Sequence, residues 1–390
     1  MEKKEVQHDT LTAPDIREKL LTLTALGLGI PHDVFSLSDE ECRKIFYVAK
    51  QQALRPIILR GLTAGKIQLS SDEMRNIRRA CATESFHTVH NREAVLKLRK
   101  VLDKEEIPYV LLKGASISAL YPDPCLRTSS DIDILIHEED VEKALPAIEG
   151  NTDFKVRLKT YRDISMVSPF VHLELHFTII ENIEKMDAIL SKAWDYASPA
   201  GEGSLYTFSP EFQVFYIVAH MCNHFVKQGL GIRPFIDLWL LRNKTEFDEN
   251  AVRSMCSECG ILTFYEQCSY LAEVWFGNEK HTETSRMLEE FCFSGGVYGS
   301  PKVKNAVKQR KQRGTGYLIR RLFPPAYEVK TLYQDESGKK HTTAYYYLKR
   351  DLSWLKKNRR KELKSRINNI MSTDKDHIDM VSELFRRLDL

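Results

Sequence analysis

The stretch from Val110 to Asp140, VLLKGASISALYPDPCLRTSSDIDILIHEED, decides how this chain is read. After the break at Pro108 comes an apolar run, Tyr109 to Leu112, stopped at Gly114, which is the pattern of a short buried strand followed by a turn. Ser116 to Tyr121 fits a short helix, ended by the two prolines of the YPDP turn. Then DIDILI, Asp131 to Ile136, alternates, with Ile132, Ile134 and Ile136 on one face and Asp131, Asp133 and Leu135 on the other. Two carboxylates spaced this way leave the same side of a strand, their Cα atoms about 6 to 7 Å apart. Burying such a pair is costly unless positive charge meets it. A divalent cation with oxygen ligands answers that need, and Mg²⁺ in particular is held by a few carboxylates together with substrate phosphates.

Working outward, residues from Asp39 to about Leu102 repeat at helical spacing, ending with Ala94, Val95, Leu98, Val101 and Leu102. Downstream, Val141, Ala144, Leu145 and Ile148 mark another helix. DFKVRLK is expected to turn Phe154, Val156 and Leu158 inward, and VHLELHFT to turn Val171, Leu173, Leu175 and Phe177 inward, leaving His172, Glu174, His176 and Thr178 on the opposite face. Ser209 and Pro210 form an N-cap and N1 pair ahead of a helix, PFIDLWLL makes another, and most of 250–295 looks helical. The expected fold class is α+β: a mixed sheet with helices packed on one face, flanked by N- and C-terminal helical regions. The expected units are 1–105 (helical), 106–200 (the sheet core), 201–298 (helices completing a cleft) and 299–390 (basic and helical).

Gly114 opens a small-residue turn, Ala115 and Ser116, into a helix, where backbone can come close to a phosphate and amide groups face it. Glu174, on a neighbouring strand, is a third carboxylate able to join Asp131 and Asp133. The arrangement LLKGAS, DIDILI, HLELH resembles the nucleotidyltransferase superfamily of the DNA polymerase β type. More narrowly, the Lys before the glycine, the YPDP turn, the Arg of LRTSSDIDILI and the later ELHF resemble the bacterial uncharacterised nucleotidyltransferase family, most specifically over Ile107 to Ile180. The resemblance implies a nucleotidyltransferase core in which Asp131, Asp133 and Glu174 bind Mg²⁺, as one or two ions, and Gly114, Ala115 and Ser116 approach the triphosphate of an NTP. Lys113 and Arg127 would neutralise phosphate charge, Arg with forked geometry and Lys as a point charge. Two positions depart from the superfamily pattern: Ala115 stands where a serine is common, and Glu174 where an aspartate is commoner.

The implied activity moves a nucleotidyl group from an NTP to an acceptor hydroxyl or phosphate, releasing pyrophosphate, with Glu174 taking the acceptor's proton or holding the metal beside it, the acceptor being a small molecule, saccharide, protein or RNA. A nucleotide-binding module without turnover, or transfer of another group from a nucleotide-linked donor, would use the same residues. Bland readings compete with each motif. Asp131 and Asp133 can be a solvated strand face, Glu174 a water-facing residue, and Lys113 a snorkelling side chain. His176 is expected to hydrogen-bond beside the carboxylates, with His172 further out. His220 and His224 have the spacing of a zinc-peptidase helix, but Met221 follows His220 where that motif needs a glutamate. Arg233 and Asp237 have the spacing of an intrahelical ion pair. Cys256 and Cys259 form one C-x-x-C without two further ligands, so free reduced thiols are expected.

A net charge of +3 from 57 basic and 54 acidic residues does not announce a nucleic-acid binder. The basic residues do cluster, eight in Lys302–Arg321 and nine in Lys349–Arg366, the latter beside Tyr345, Tyr346, Tyr347 and Trp354, a mixture that suits single-stranded nucleic acid. The polar N-terminal residues, MEKKEVQHDT, and the lack of a long apolar run lead to an expectation of a cytoplasmic protein without a membrane span.

Overall fold

The structure is a computed structural model, and it describes residues 14–181, 183–201, 203–295, 301–310 and 375–390. Four helices precede the sheet: α1 (Pro14–Leu28), α2 (Asp39–Gln51), α3 (Arg55–Ala64) and α4 (Ser71–Lys104). The helical spacing over 39–102 therefore resolves into three helices, and α1, earlier in the helical unit 1–105, is marked by Pro14 in its first turn and by buried Ile16, Leu20 and Leu23. A capping box starts α2: the Ser38 hydroxyl accepts from the Glu41 amide and the Glu41 carboxylate accepts from the Ser38 amide. Helices α1 and α3 approach at two glycines, where a Cβ on Gly27 would lie 2.2 Å from the Ile57 carbonyl oxygen and one on Gly61 2.0 Å from that of Leu23. The end of α4 carries Leu98, Val101 and Leu102 beneath the sheet.

The sheet has seven strands, β1 (Tyr109–Leu111), β2 (Asp131–Ile136), β3 (Lys155–Lys159), β4 (Asp163–Val167), β5 (His172–His176), β6 (Ala197–Pro199) and β7 (Leu205–Phe208), in the order β3-β4-β5-β2-β1-β7-β6. It is mixed: β2 runs parallel to β5 and antiparallel to β1, while β1 runs parallel to β7. Ile132, Ile134, Ile136, Leu173 and Leu175 pack on one face against α4 and against Ala144, Leu145 and Ile148 of α6 (Val141–Asn151), where α5 is the short helix Lys113–Ile117. The opposite face contributes Val110 and Leu135 to a second core shared with the later helices. The alternation read in DIDILI and HLELH thus separates two cores. β3 departs from its expectation: Leu158 is 54% exposed. It sits on an edge strand, next to a register shift between Val156 and Leu158, so no second layer covers it.

Beyond the sheet come α7 (Glu184–Leu190), α8 (Pro210–Lys227), α9 (Arg233–Lys244), α10 (Glu249–Glu258), α11 (Leu262–Phe276), α12 (Glu283–Gly295), α13 (Pro301–Gln309) and α14 (Lys375–Arg387). The Ser209 hydroxyl caps α8 by accepting from the Phe212 amide, with Pro210 in the first turn as its fixed φ favours. Phe212, Phe215 and Tyr216 of α8 and Phe235 of α9 are fully buried in a core that also holds Leu20, Leu23 and Ile57, so the helices before and after the sheet share one interior. No described helix is long and apolar enough to cross a membrane. Of the two basic clusters, the first is described only as far as residue 310, and the second, with its tyrosines and Trp354, lies outside the described residues.

Candidate active site

The parallel register of β2 and β5 sets Asp131 opposite His172 and Asp133 opposite Glu174. Since side chains alternate, all four project from the face that does not carry the isoleucines. Asp133 is nearly fully buried, at 4% exposure, while Asp131 and Glu174 are partly exposed. Positive charge for Asp133 comes first from the chain itself. The Lys113 ammonium donates to Asp133 Oδ1 at 2.7 Å, and His176 Nε2 lies 2.9 Å from the same oxygen and 3.5 Å from Glu174 Oε2. Burial pushes the Asp133 carboxyl up, but the charges and hydrogen bonds of Lys113 and His176 outweigh it and hold it well below the usual carboxylate range. Burial likewise pulls the Lys113 ammonium down, and Asp133 more than reverses that. His176 follows the same pattern, raised on balance by Asp133 and Glu174 against its burial.

Both short contacts to Asp133 fall on Oδ1, and no described residue donates to Oδ2. Asp131 uses Oδ1 to accept from the Ser129 hydroxyl at 3.1 Å, and its Oδ2 too has no donor among the described residues. Two groups of candidate ligands result, Asp131 with His172 and Glu174, and Asp133 with Glu174 and His176; within each, one ligand atom per residue lies within 4.8 Å of the others. Glu174 belongs to both. A set dominated by carboxylate oxygens with unused lone pairs fits a hard divalent cation such as Mg²⁺. His172 also hydrogen-bonds Ser165 through Nε2 at 2.7 Å.

The turn that follows β1 is tighter than the sequence indicates. Lys113 has a φ of +48°, a left-handed conformation that costs a non-glycine residue about 1–2 kcal/mol. The Leu112 amide bonded to the Asp133 carbonyl at 2.9 Å and the Lys113–Asp133 ion pair hold it there. Strain of this kind is commonly kept at functional sites. The Ser116 hydroxyl donates to the Lys113 carbonyl at 2.9 Å and accepts from Gln213 of α8 at 3.1 Å. Ala115 closes the turn with its amide on the Leu112 carbonyl at 3.2 Å. A Cβ on Gly114 would meet Arg127 Nη1 at 3.2 Å, so the guanidinium lies directly against the turn.

Arg127 lines the cavity that Gly114, Asp131 and Asp133 share, and its forked partner is a carboxylate of α9. Its Nε and Nη2 bind Asp237 Oδ1 and Oδ2, each at 2.8 Å, and its Nη1 donates to the Thr128 carbonyl at 2.8 Å. Tyr121 donates to Asp237 Oδ1 at 2.7 Å. The i, i+4 spacing of Arg233 and Asp237 therefore misleads about Asp237, whose forked partner is 110 residues away; Arg233 reaches the Thr128 carbonyl at 3.0 Å. Sequence reasoning also missed Glu181, which is buried at the mouth of the cleft. It engages His220 Nδ1 at 2.7 Å, Asn223 Nδ2, and through its carbonyl the Lys227 ammonium at 2.6 Å. The single available signal was a carboxylate just past the strand that carries Glu174.

Two cavities flank the carboxylates, and both are lined by Lys113, His220 and His224. One, of about 160 Å³, adds Gly114, Asp131 and Asp133; the other, of about 250 Å³, adds Glu174 and Glu181. Cys256 and Cys259 belong to neither, nor to any group of three candidate ligands among the described residues; both are buried free thiols.

A mixed sheet with three carboxylates on two adjacent parallel strands, beside a glycine turn on a third, defines a protein of the nucleotidyltransferase class. Comparison with family models agrees: the uncharacterised nucleotidyltransferase family matches residues 38–277, more than half of the chain, and the chain belongs to that family. No curated protein and no solved structure matches it significantly.

Proposed function

We propose that the protein transfers a nucleotidyl group from an NTP to an acceptor hydroxyl in a Mg²⁺-dependent reaction, with 106–200 as the catalytic unit and 201–298 closing the cleft. The observation that carries this reading is the set of unused oxygens on Asp131 and Asp133, turned with Glu174 into one cleft. Asp131, Asp133 and Glu174 would hold the metal, which when bound supplies charge neutralisation of the triphosphate and acidifies the attacking hydroxyl. Gly114, Ala115 and Ser116 bring the backbone of their turn to the triphosphate, and Lys113 offers its remaining N–H groups to a phosphate oxygen while holding Asp133 ionised. Arg127 acts at one remove, packing on Gly114 and fixing the turn to α9 through Asp237.

In the reaction the acceptor oxygen bonds to the α-phosphorus, the bond from that phosphorus to the α–β bridging oxygen breaks, pyrophosphate leaves, and the hydroxyl proton passes to Glu174. The test is pyrophosphate release with each of the four NTPs and Mg²⁺, with a cell extract as acceptor source. Wild type is compared with the Asp131→Asn, Asp133→Asn double variant. Release by wild type that is lost in the variant is the expected result. Binding of Mg²⁺·NTP without release would instead make the protein a nucleotide-responsive module, and absence of binding would overturn the reading.

A further inference from the structure

The larger cavity, beyond Glu174, has a chemistry of its own. Arg162 and Lys227 stand on its wall. Arg162 gives Nε to Asp163 at 2.9 Å and Nη1 to the Ile180 carbonyl at 3.1 Å, and its Nη2 has no acceptor among the described residues. Lys227 spends one N–H on the Glu181 carbonyl. Burial lowers the Lys227 ammonium, and the Arg162 charge pushes in the same direction against the opposing Glu181, as expected of two like charges facing one space. The two carboxylate oxygens of Glu181 bind His220 and Asn223, so neither makes a direct contact with Lys227 or Arg162, whose carboxylate partner is Asp163.

A second, independent observation is Tyr216. It lines the same cavity at 1% exposure, and its hydroxyl makes no hydrogen bond among the described residues. The charges of Lys113, Asp133, Glu181 and Glu174 all act on that hydroxyl, which places it amid them. The Tyr216 hydroxyl opens on the cavity, and with the spare N–H groups of Arg162 and Lys227 it offers hydrogen-bond donors to a polar ligand entering there. About 250 Å³ leaves room for a small molecule.

We propose that this cavity is the acceptor site, and that the acceptor is a small anionic hydroxyl compound, bearing a phosphate or a carboxylate. Arg162 and Lys227 hold its anionic group, and Tyr216 and Glu174 receive its reacting hydroxyl. The proposal rests on the nucleotidyl-transfer reading above, since it is that reading that makes Glu174 the acceptor side. It restricts the acceptor to a charged small molecule, setting aside neutral saccharides.

The test uses the full chain with Mg²⁺ and a non-hydrolysable NTP analogue, whose binding is measured first. Without analogue binding the transfer reading itself fails. With the analogue bound, glycerol 3-phosphate, glycerate and glycerol are titrated by calorimetry. The expected result is binding of one or both anions but not of glycerol, weakened at least tenfold by Lys227→Gln and by Arg162→Gln, while analogue affinity stays within twofold. The two anionic probes tell phosphate from carboxylate. Lys227 is exposed, so its variant is expected to fold even if Arg162→Gln does not. Analogue binding with no anion binding, anion binding indifferent to both substitutions, or equal binding of glycerol would overturn the proposal.

Discussion

Removing Asp237 tests how the glycine turn is held. Its carboxylate is 4% exposed and sits between the Arg127 guanidinium, at two contacts of 2.8 Å, and the Tyr121 hydroxyl at 2.7 Å. Breaking a buried pair by deleting one partner costs about 3–5 kcal/mol, because the surviving charge stays buried without compensation. With a urea dependence of about 3 kcal/mol per molar, Asp237→Leu should lower the unfolding midpoint by on the order of 1 M. The double variant Arg127→Met, Asp237→Leu removes both charges and should recover about half of that loss. The residue is about 1–3 kcal/mol for the orphaned Tyr121 hydroxyl. Nucleotide affinity should behave differently, since the guanidinium loses its anchor in the single variant and is absent from the double, so that neither holds it fixed against Gly114: Mg²⁺·NTP binding should be weak in each. Equilibrium urea unfolding followed by tryptophan fluorescence, with fluorescent-nucleotide titration alongside, measures the two effects. A single variant as stable as wild type, or a double variant that regains stability and nucleotide affinity together, would refute the argument that the pair positions the turn.

Three further outcomes follow from packing and protonation. Gly61→Ala puts a methyl into the Leu23 carbonyl at the α1–α3 crossing and should cost about 1–3 kcal/mol or more in urea unfolding, whereas Gly150→Ala, with open space around it, should be near neutral. Burial, followed by the His220 charge, lowers His224 to about 3. The unfolded chain therefore takes up a proton near pH 6.5 that the folded chain refuses, and stability falls as pH drops below 6.5 by up to about 1.4 kcal/mol per unit. His224→Gln should flatten the urea midpoint between pH 7 and 5. Among the eight cysteines, burial pushes Cys42, Cys81 and Cys222 up to about 12, and all but Cys125 are buried. A colorimetric thiol assay at pH 7.5 should find Cys125 reacting first, and Cys125→Ser should abolish that fast phase.

The sequence shows the strands of the site because their alternation serves two masters. In DIDILI the isoleucines enter one core and Leu135 another, so the aspartates are confined to the one face left to them, and Glu174 follows by the same rule on β5. Where burial is one-sided the signal fades, as at Leu158 on the edge strand. Contacts made across long separations left no local trace. Asp237 has an arginine four residues before it and a more distant one as its actual forked partner, and helix periodicity alone cannot choose between them. The left-handed residue of the turn was likewise hidden, because a Lys–Gly pair invites the positive φ at the glycine, whereas here it falls on Lys113.

That placement bears on why the two aspartates are tolerated in a buried strand. A left-handed Lys113 begins α5 with its ammonium returned to Asp133, so one of the three carboxylates is compensated by the chain before any ligand arrives. Three carboxylates against one ammonium leave two negative charges, the amount one divalent cation neutralises, and His176 shares part of the remainder through Asp133 and Glu174. A triphosphate would then add charge that this balance cannot absorb without a cation of its own, and nucleotides carry one as their Mg²⁺ complex. The two aspartates are therefore not equivalent. Asp133 is fixed from behind by Lys113 and His176 through one oxygen and can offer the other without moving. Asp131, partly exposed and tied to Ser129 alone among the described hydrogen-bond donors, keeps an oxygen without a donor in the cavity that Gly114 also lines.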